Sequence, residues 1–149
     1  AFVLIPRAPY CAILLTAGLL AVGRGVAIAQ AAGPATPVGT WRGESKCITD
    51  APACHDEHVV YYIEMVPDTP AQVKVRADKI VDGKAVTMGA GPWNYDSRRQ
   101  ELSWESSGRL WLLALHGDQI DGTLTMPDKI VFRRMTLTRD HSEPHPQAQ

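Results

Sequence analysis

The chain has almost no charge imbalance. Fifteen Lys and Arg stand against 16 Asp and Glu over 149 residues, a formal net charge of −1. A nucleic-acid interface needs a basic face, and an anionic bilayer attracts a polybasic one, so this balance supplies neither. Catalytic signatures are also missing: there is no G-x-S-x-G elbow, no H-E-x-x-H helix and no glycine loop that could cradle phosphate. Without a nucleophile, a base and an orienting group, neither enzymatic activity nor a cofactor is expected. His116 precedes Gly117-Asp118 and reads as a solvated residue at a turn. Asp56-Glu57 reads as an ordinary surface pair, and His141 and His145 as solvated residues of a polar tail. No stretch after residue 38 has the 3.6-residue apolar period of an amphipathic helix.

What is present begins with one apolar run. Arg7 is followed by Cys11 to Val22 (CAILLTAGLLAV) and then by the small-x-small triplet Ala27-Ile28-Ala29. A basic start, an apolar stretch and an A-x-A site read as a secretory signal peptide over 1–29. Cleavage is expected after Ala29, with Ala31 as the alternative. An uncleaved anchor is the competing reading, but spanning a bilayer takes about 20 apolar residues and Arg24 interrupts the run. Cleavage would remove Arg7 and Arg24, leaving 13 basic and 16 acidic residues and a net charge of −3. The expected location is therefore exported, periplasmic or secreted, with no stable membrane span after cleavage.

Cysteine is scarce, with three in the chain, of which Cys47 and Cys54 lie beyond the signal. A pair in an exported protein predicts a disulfide. The alternative is a metal site, because Cys54-His55-Asp56-Glu57-His58 is dense in ligand types and Cys47, Cys54, His55 and His58 form a set that zinc accepts. The spacing fits no standard zinc pattern, and a disulfide would consume both thiolates. No metal is expected, and His55 and His58 are the weak candidates.

Residues 30–37 (QAAGPATP) read as a flexible leader, 38–139 as the folded domain and 140–149 as a disordered tail. Within the domain the period is two. Val59, Tyr61, Ile63 and Met65 alternate with Val60, Tyr62 and Glu64; Ile120, Gly122 and Leu124 alternate with Gln119, Asp121 and Thr123. Such alternation puts apolar side chains on one sheet face and polar ones on the other. Strands are expected near 39–46, 58–66, 72–79, 84–89, 92–96, 100–105, 109–116, 119–126 and 129–138, with one of the pieces between 84 and 105 distorted or shared. Turns are expected at Asp82-Gly83, Gly91-Pro92, Ser97-Arg98, Ser107-Gly108, Gly117-Asp118 and Pro127-Asp128. Short consecutive connections favour an all-β, antiparallel up-and-down barrel of about eight strands; a two-sheet sandwich is the alternative.

The first strand opens Gly39-Thr40-Trp41-Arg42-Gly43. This resembles the G-x-W opening of the calycins, the lipocalins and fatty-acid-binding proteins, in a small exported β-protein. The resemblance implies that Trp41 closes one end of a barrel and that an arginine from a late strand packs across it. Arg133, Arg134 and Arg139 are the candidates, with Arg133 and Arg134 taken as the structural partners.

Barrels of eight strands are just wide enough to fill with side chains or to hold one small ligand. Trp93, Tyr95, Trp104, Trp111, Tyr61 and Met88 are the candidate lining residues for a small apolar ligand. The other reading is that they are simply core, in a structural or protein-interaction module of the cell envelope whose partner is unknown. Val60 and Tyr62, on the outward side of their strand, could then form a sticky patch.

Overall fold

The computed structural model describes residues 35–142. The expected signal peptide, most of the leader and the end of the tail lie outside them. Eight strands follow in order: β1 Gly39–Cys47, β2 Glu57–Met65, β3 Gln72–Val81, β4 Lys84–Asp96, β5 Glu101–Ser106, β6 Arg109–His116, β7 Gln119–Thr125 and β8 Val131–Arg139. Each pairs antiparallel with the next, and β8 returns to β1 from Trp41↔Arg139 to Cys47↔Arg133. The result is a single closed up-and-down barrel, all-β among the described residues.

Local chemistry explains the strands and their connections. Inward positions of β2 carry Val59, Tyr61 and Ile63; those of β3, Val73 and Val75; those of β7, Ile120 and Leu124; all are buried. The Asp82-Gly83 turn has φ of 49° and 75°, and Ser107-Gly108 has 51° and 73°. Positive φ at both central residues is the two-residue hairpin turn whose twist matches the flanking strands, and it favours glycine at the second position.

One expectation is corrected. The sequence predicts separate strands over 84–89 and 92–96, parted by a turn at Gly91-Pro92. The chain instead runs straight through as β4. The Tyr95 N–H donates to Ala71 O on the β3 side at 2.8 Å. By alternation, the Pro92 nitrogen faces the other way, toward β5. There β4 has no partner, because β4 and β5 pair only over Asn94↔Ser103, Tyr95↔Leu102 and Asp96↔Glu101. A missing N–H costs nothing at an unpaired edge, so proline is accommodated without a turn. Lower in the same strand, Ala77 pairs with Gly89 and Asp78 with Thr87, which leaves Met88 as the extra residue of a β-bulge.

The barrel has two unlike ends. One holds Gly39, the 66–71 and 97–100 connections and the end of β8. It is filled by Trp41, Ile63, Val73, Leu102, Leu113, Ile120 and Leu137, all buried. At the other end lie the disulfide loop, the β3–β4 hairpin tip and the β5–β6 and β7–β8 turns.

Candidate functional site

The closed end is built around Trp41. Its indole is fully buried, and its Nε1–H donates to Pro37 O at 2.8 Å. The Arg139 guanidinium lies over the ring, 4.1 Å from its centroid. This corrects the choice of Arg133 and Arg134. The register pairs Trp41 directly with Arg139. Arg134 points outward and is exposed, and Arg133 enters the barrel one end away. Arg139 also donates to Val38 O and Thr36 O, each at 2.6 Å, and to Asp118 Oδ1 at 2.9 Å. Those bonds, with a buried Pro37, tie residues 36–38 to the barrel, so this part of the expected leader is ordered structure. A desolvated cation over an indole contributes up to about 2 kcal/mol.

The open end encloses a cavity of about 320 Å³. Its aromatic wall runs from β2 to β6. The Tyr61 ring meets Trp93 edge-on at 6.4 Å, Trp93 stacks on Trp104 at 5.9 Å, and Trp104 lies 4.7 Å from Trp111. Cross-strand pairing of Trp104 with Trp111 sets the last contact. Val75, Leu124 and Met135 complete the apolar lining, and Met88, Gly89, Ala90 and Gly91 of β4 form its edge. Among the described residues, Lys84 to Trp93 have no β5 partner, so the cavity borders a slit in the barrel wall.

Five of the six candidate lining residues thus come together: Trp93, Trp104, Trp111, Tyr61 and Met88. Tyr95 stands apart. It belongs to the closed half, where its hydroxyl accepts from Gln100 Nε2 at 3.0 Å and donates to Ala35 O at 3.4 Å. Sequence reasoning missed Arg133, Glu57 and Ser45 as cavity residues. The signal was available for Arg133 and Ser45, since each occupies an inward position of its strand, but charged and polar side chains are discounted in a search for core.

The polar corner is closed on itself. Arg133 makes a 3.3 Å ion pair with Glu57 and donates to Ser45 Oγ at 3.2 Å, Ser45 O at 3.3 Å and His55 O at 2.9 Å. Lys79 reaches the other Glu57 oxygen at 3.4 Å. The Tyr61 hydroxyl has a soft partner, Met135 Sδ at 3.4 Å. Burial pushes this hydroxyl up to about 12; Glu57 adds to the rise and Arg133 opposes it.

Cys47 and Cys54 form a disulfide with Cα atoms 6.0 Å apart. Both sulfurs of the imagined zinc set are consumed. Among the described residues, no group of three His, Cys, Asp or Glu is placed to hold a metal ion. His55 contributes its carbonyl to Arg133, and His58 sits on the outward side of β2, opposite Glu44. Most exposed large hydrophobics lie toward the open end, Ile48, Val81, Val86, Met88, Leu110 and Ile130, while Met65 is exposed at the closed end. The imagined patch on β2 is different, because Val60 is buried and Tyr62 lies under the Arg76 guanidinium at 4.0 Å.

No protein-family model matches the chain, and no curated protein matches it in sequence.

Proposed function

We propose that this protein is an exported binding barrel, calycin-like in outline, that holds a small apolar molecule in the open half of its interior. One observation carries the reading: a cavity of about 320 Å³, walled by three tryptophans and a tyrosine, beside a slit in the barrel. Small-molecule sites are concave and mostly apolar, with a few fixed polar groups, and this size lies at the lower end of their usual range. Trp41 beneath Arg139 supports the calycin-like outline. The Cys47–Cys54 disulfide supports an oxidising, exported compartment, periplasmic or secreted.

The test is a panel of apolar molecules read by tryptophan fluorescence and thermal unfolding. A ligand present at 100 times its dissociation constant stabilises the folded state by about 2.7 kcal/mol, which raises the melting temperature. A panel that moves neither signal would favour the second reading, a structural or protein-interaction module of the cell envelope. The apolar side chains around the open end, Val81, Val86 and Ile130 among them, support that alternative.

A further inference from the structure

Four glycines interrupt the strands at inward positions, and they fall into two kinds. Gly43 and Gly122 are demanded by their neighbours. A Cβ at Gly43 would lie 1.9 Å from Thr136 O, and one at Gly122 would lie 2.4 Å from Leu113 Cδ2. Gly89 and Gly91 are demanded by nothing, since a Cβ built on either meets no atom within 4 Å. Glycine inside a strand costs roughly 0.5–1 kcal/mol relative to alanine. A glycine inside a strand marks a bulge, a bend or a place where a ligand or another backbone approaches closely; Gly89 flanks the Met88 bulge, whereas Gly91 lies beyond it.

The main chain at this place has groups to offer. By the alternation that sends Tyr95 N–H to β3, the N–H and C=O of Ala90 point into the slit beside β4, where no strand pairs with them. The indoles of Trp104 and Trp111 also line the cavity and present extended π surface. Indole faces favour offset stacking with another ring system. The charges in the cavity are already spent on one another: Glu57 holds Arg133, whose remaining bonds go to Ser45 and His55. An anionic head would compete with the Glu57 carboxylate for Arg133, and a cationic one would compete with Arg133 and Lys79 for Glu57.

We infer that the cavity takes an uncharged, planar aromatic molecule with hydrogen-bonding atoms along one edge, lodged between the Trp104–Trp111 indoles and the bare main chain of Gly89 to Gly91. The inference rests on the carrier reading and narrows it. The ring stacks on indole, its edge atoms meet the Ala90 N–H and C=O, and the two glycines keep that wall free of side chains. Long-chain carboxylates fit poorly, because among the described residues the cavity's cation, Arg133, is already paired with Glu57 and the wall rewards flat rings over flexible chains.

The experiment compares the whole protein with Gly91→Leu, using N-phenylnaphthylamine as the uncharged aromatic probe and hexadecanoate and hexadecanol as aliphatic ones. The expected result is saturable probe fluorescence with quenching of the tryptophans, no displacement by either aliphatic compound, and binding weakened by about tenfold or more in Gly91→Leu, a loss of about 1.4 kcal/mol or more. The variant should melt no lower than the parent, since a Cβ at this position meets no atom within 4 Å and the rest of the side chain has the cavity to enter; Gly89→Leu is the second variant if it does. Aliphatic binding without aromatic binding would overturn the ligand class and leave the carrier reading standing. Aromatic binding equal in parent and both variants would overturn the placement at the glycines. Binding of none of the three would overturn both the inference and the reading beneath it.

Discussion

The two ends of this barrel use the same residue types to opposite effect. At the closed end an arginine lies on a tryptophan, and its other donors go to the carbonyls of Thr36 and Val38 and to Asp118. At the open end an arginine also enters the barrel, but it turns to Glu57, Ser45 and His55 at the cavity's edge, and the tryptophans there pack on one another instead. Glycine repeats the contrast. In the sealed wall, Gly43 lets β8 approach β1 and Gly122 makes room for Leu113, whereas Gly89 and Gly91 face open space. A barrel can thus be stoppered at one end by stacking and left hollow at the other by omission.

That contrast predicts unequal costs for removing an indole. Trp41→Ala deletes a fully buried side chain and is expected to destabilise by about 3–5 kcal/mol, read by urea unfolding. Trp104→Ala, half-buried beside a cavity that already exists, is expected to cost less than half of that while weakening any ligand-induced quenching, which Trp93 and Trp111 still report. Equal costs at the two ends would break the distinction. The glycines give the next largest effect. Gly43→Ala drives a methyl into the Thr136 carbonyl and is expected to cost more than about 2 kcal/mol, as overpacking against backbone does. Gly91→Ala is expected to stabilise by up to about 1 kcal/mol. A destabilised Gly91→Ala would mean that neighbouring atoms crowd the wall there.

The disulfide ranks close behind. Cys54 lies seven positions after Cys47, and a loop that short contributes about 2–3 kcal/mol in the chain-entropy model. The loop joins β1 to β2, and Cys47 N–H is held by the Asp56 carboxylate at 2.8 Å. Replacing both cysteines with serine should therefore lower the unfolding midpoint and loosen the rim, while the Trp41 fluorescence environment at the far end stays unchanged. A uniform loss of order at both ends would deny that the halves are separable.

Much of the fold was legible because strand alternation and hairpin turns are local. Val59, Tyr61 and Ile63 announce one face of β2 by spacing alone, and Asp82-Gly83 announces its turn. Alternation tells which side chains point inward; it does not tell whether they touch. Tyr95 and Trp93 share a face of β4, yet the one closes the bottom and the other walls the cavity, a difference set by height along the barrel. The arginine partner of Trp41 failed for a related reason. Parity separates Arg134 from Arg133 and Arg139, but the choice between the last two needs the β1–β8 register, which depends on how the whole sheet closes. Pro92 misled because its cost depends on whether a neighbouring strand pairs on that side, and β5, although it runs on to Ser106, pairs with β4 no further than Asn94↔Ser103. The inward glycines at 89 and 91 were the readable sign of a hollow, since two successive core positions without side chains leave a wall bare.

Tyr61 stands where the halves meet, and its hydroxyl reports how far water reaches. Buried beside a thioether, it holds its proton up to about 12, against an ordinary tyrosine near 10. Between those values the unfolded chain has released the proton and the folded protein has not, so stability is intact below about pH 10 and falls as pH rises toward about 12. At pH 11 the loss from this one group is on the order of 1 kcal/mol. Tyr61→Phe keeps the ring against Trp93 and removes the proton, so its stability should decline less between about pH 9 and about pH 11 by that amount, measured by urea unfolding at each pH. An unchanged slope would place water at the hydroxyl and extend the open half down to Tyr61. A steeper parental slope with an aromatic ligand bound would show the opposite: that the occupant completes the drying which the closed half achieves with its own side chains.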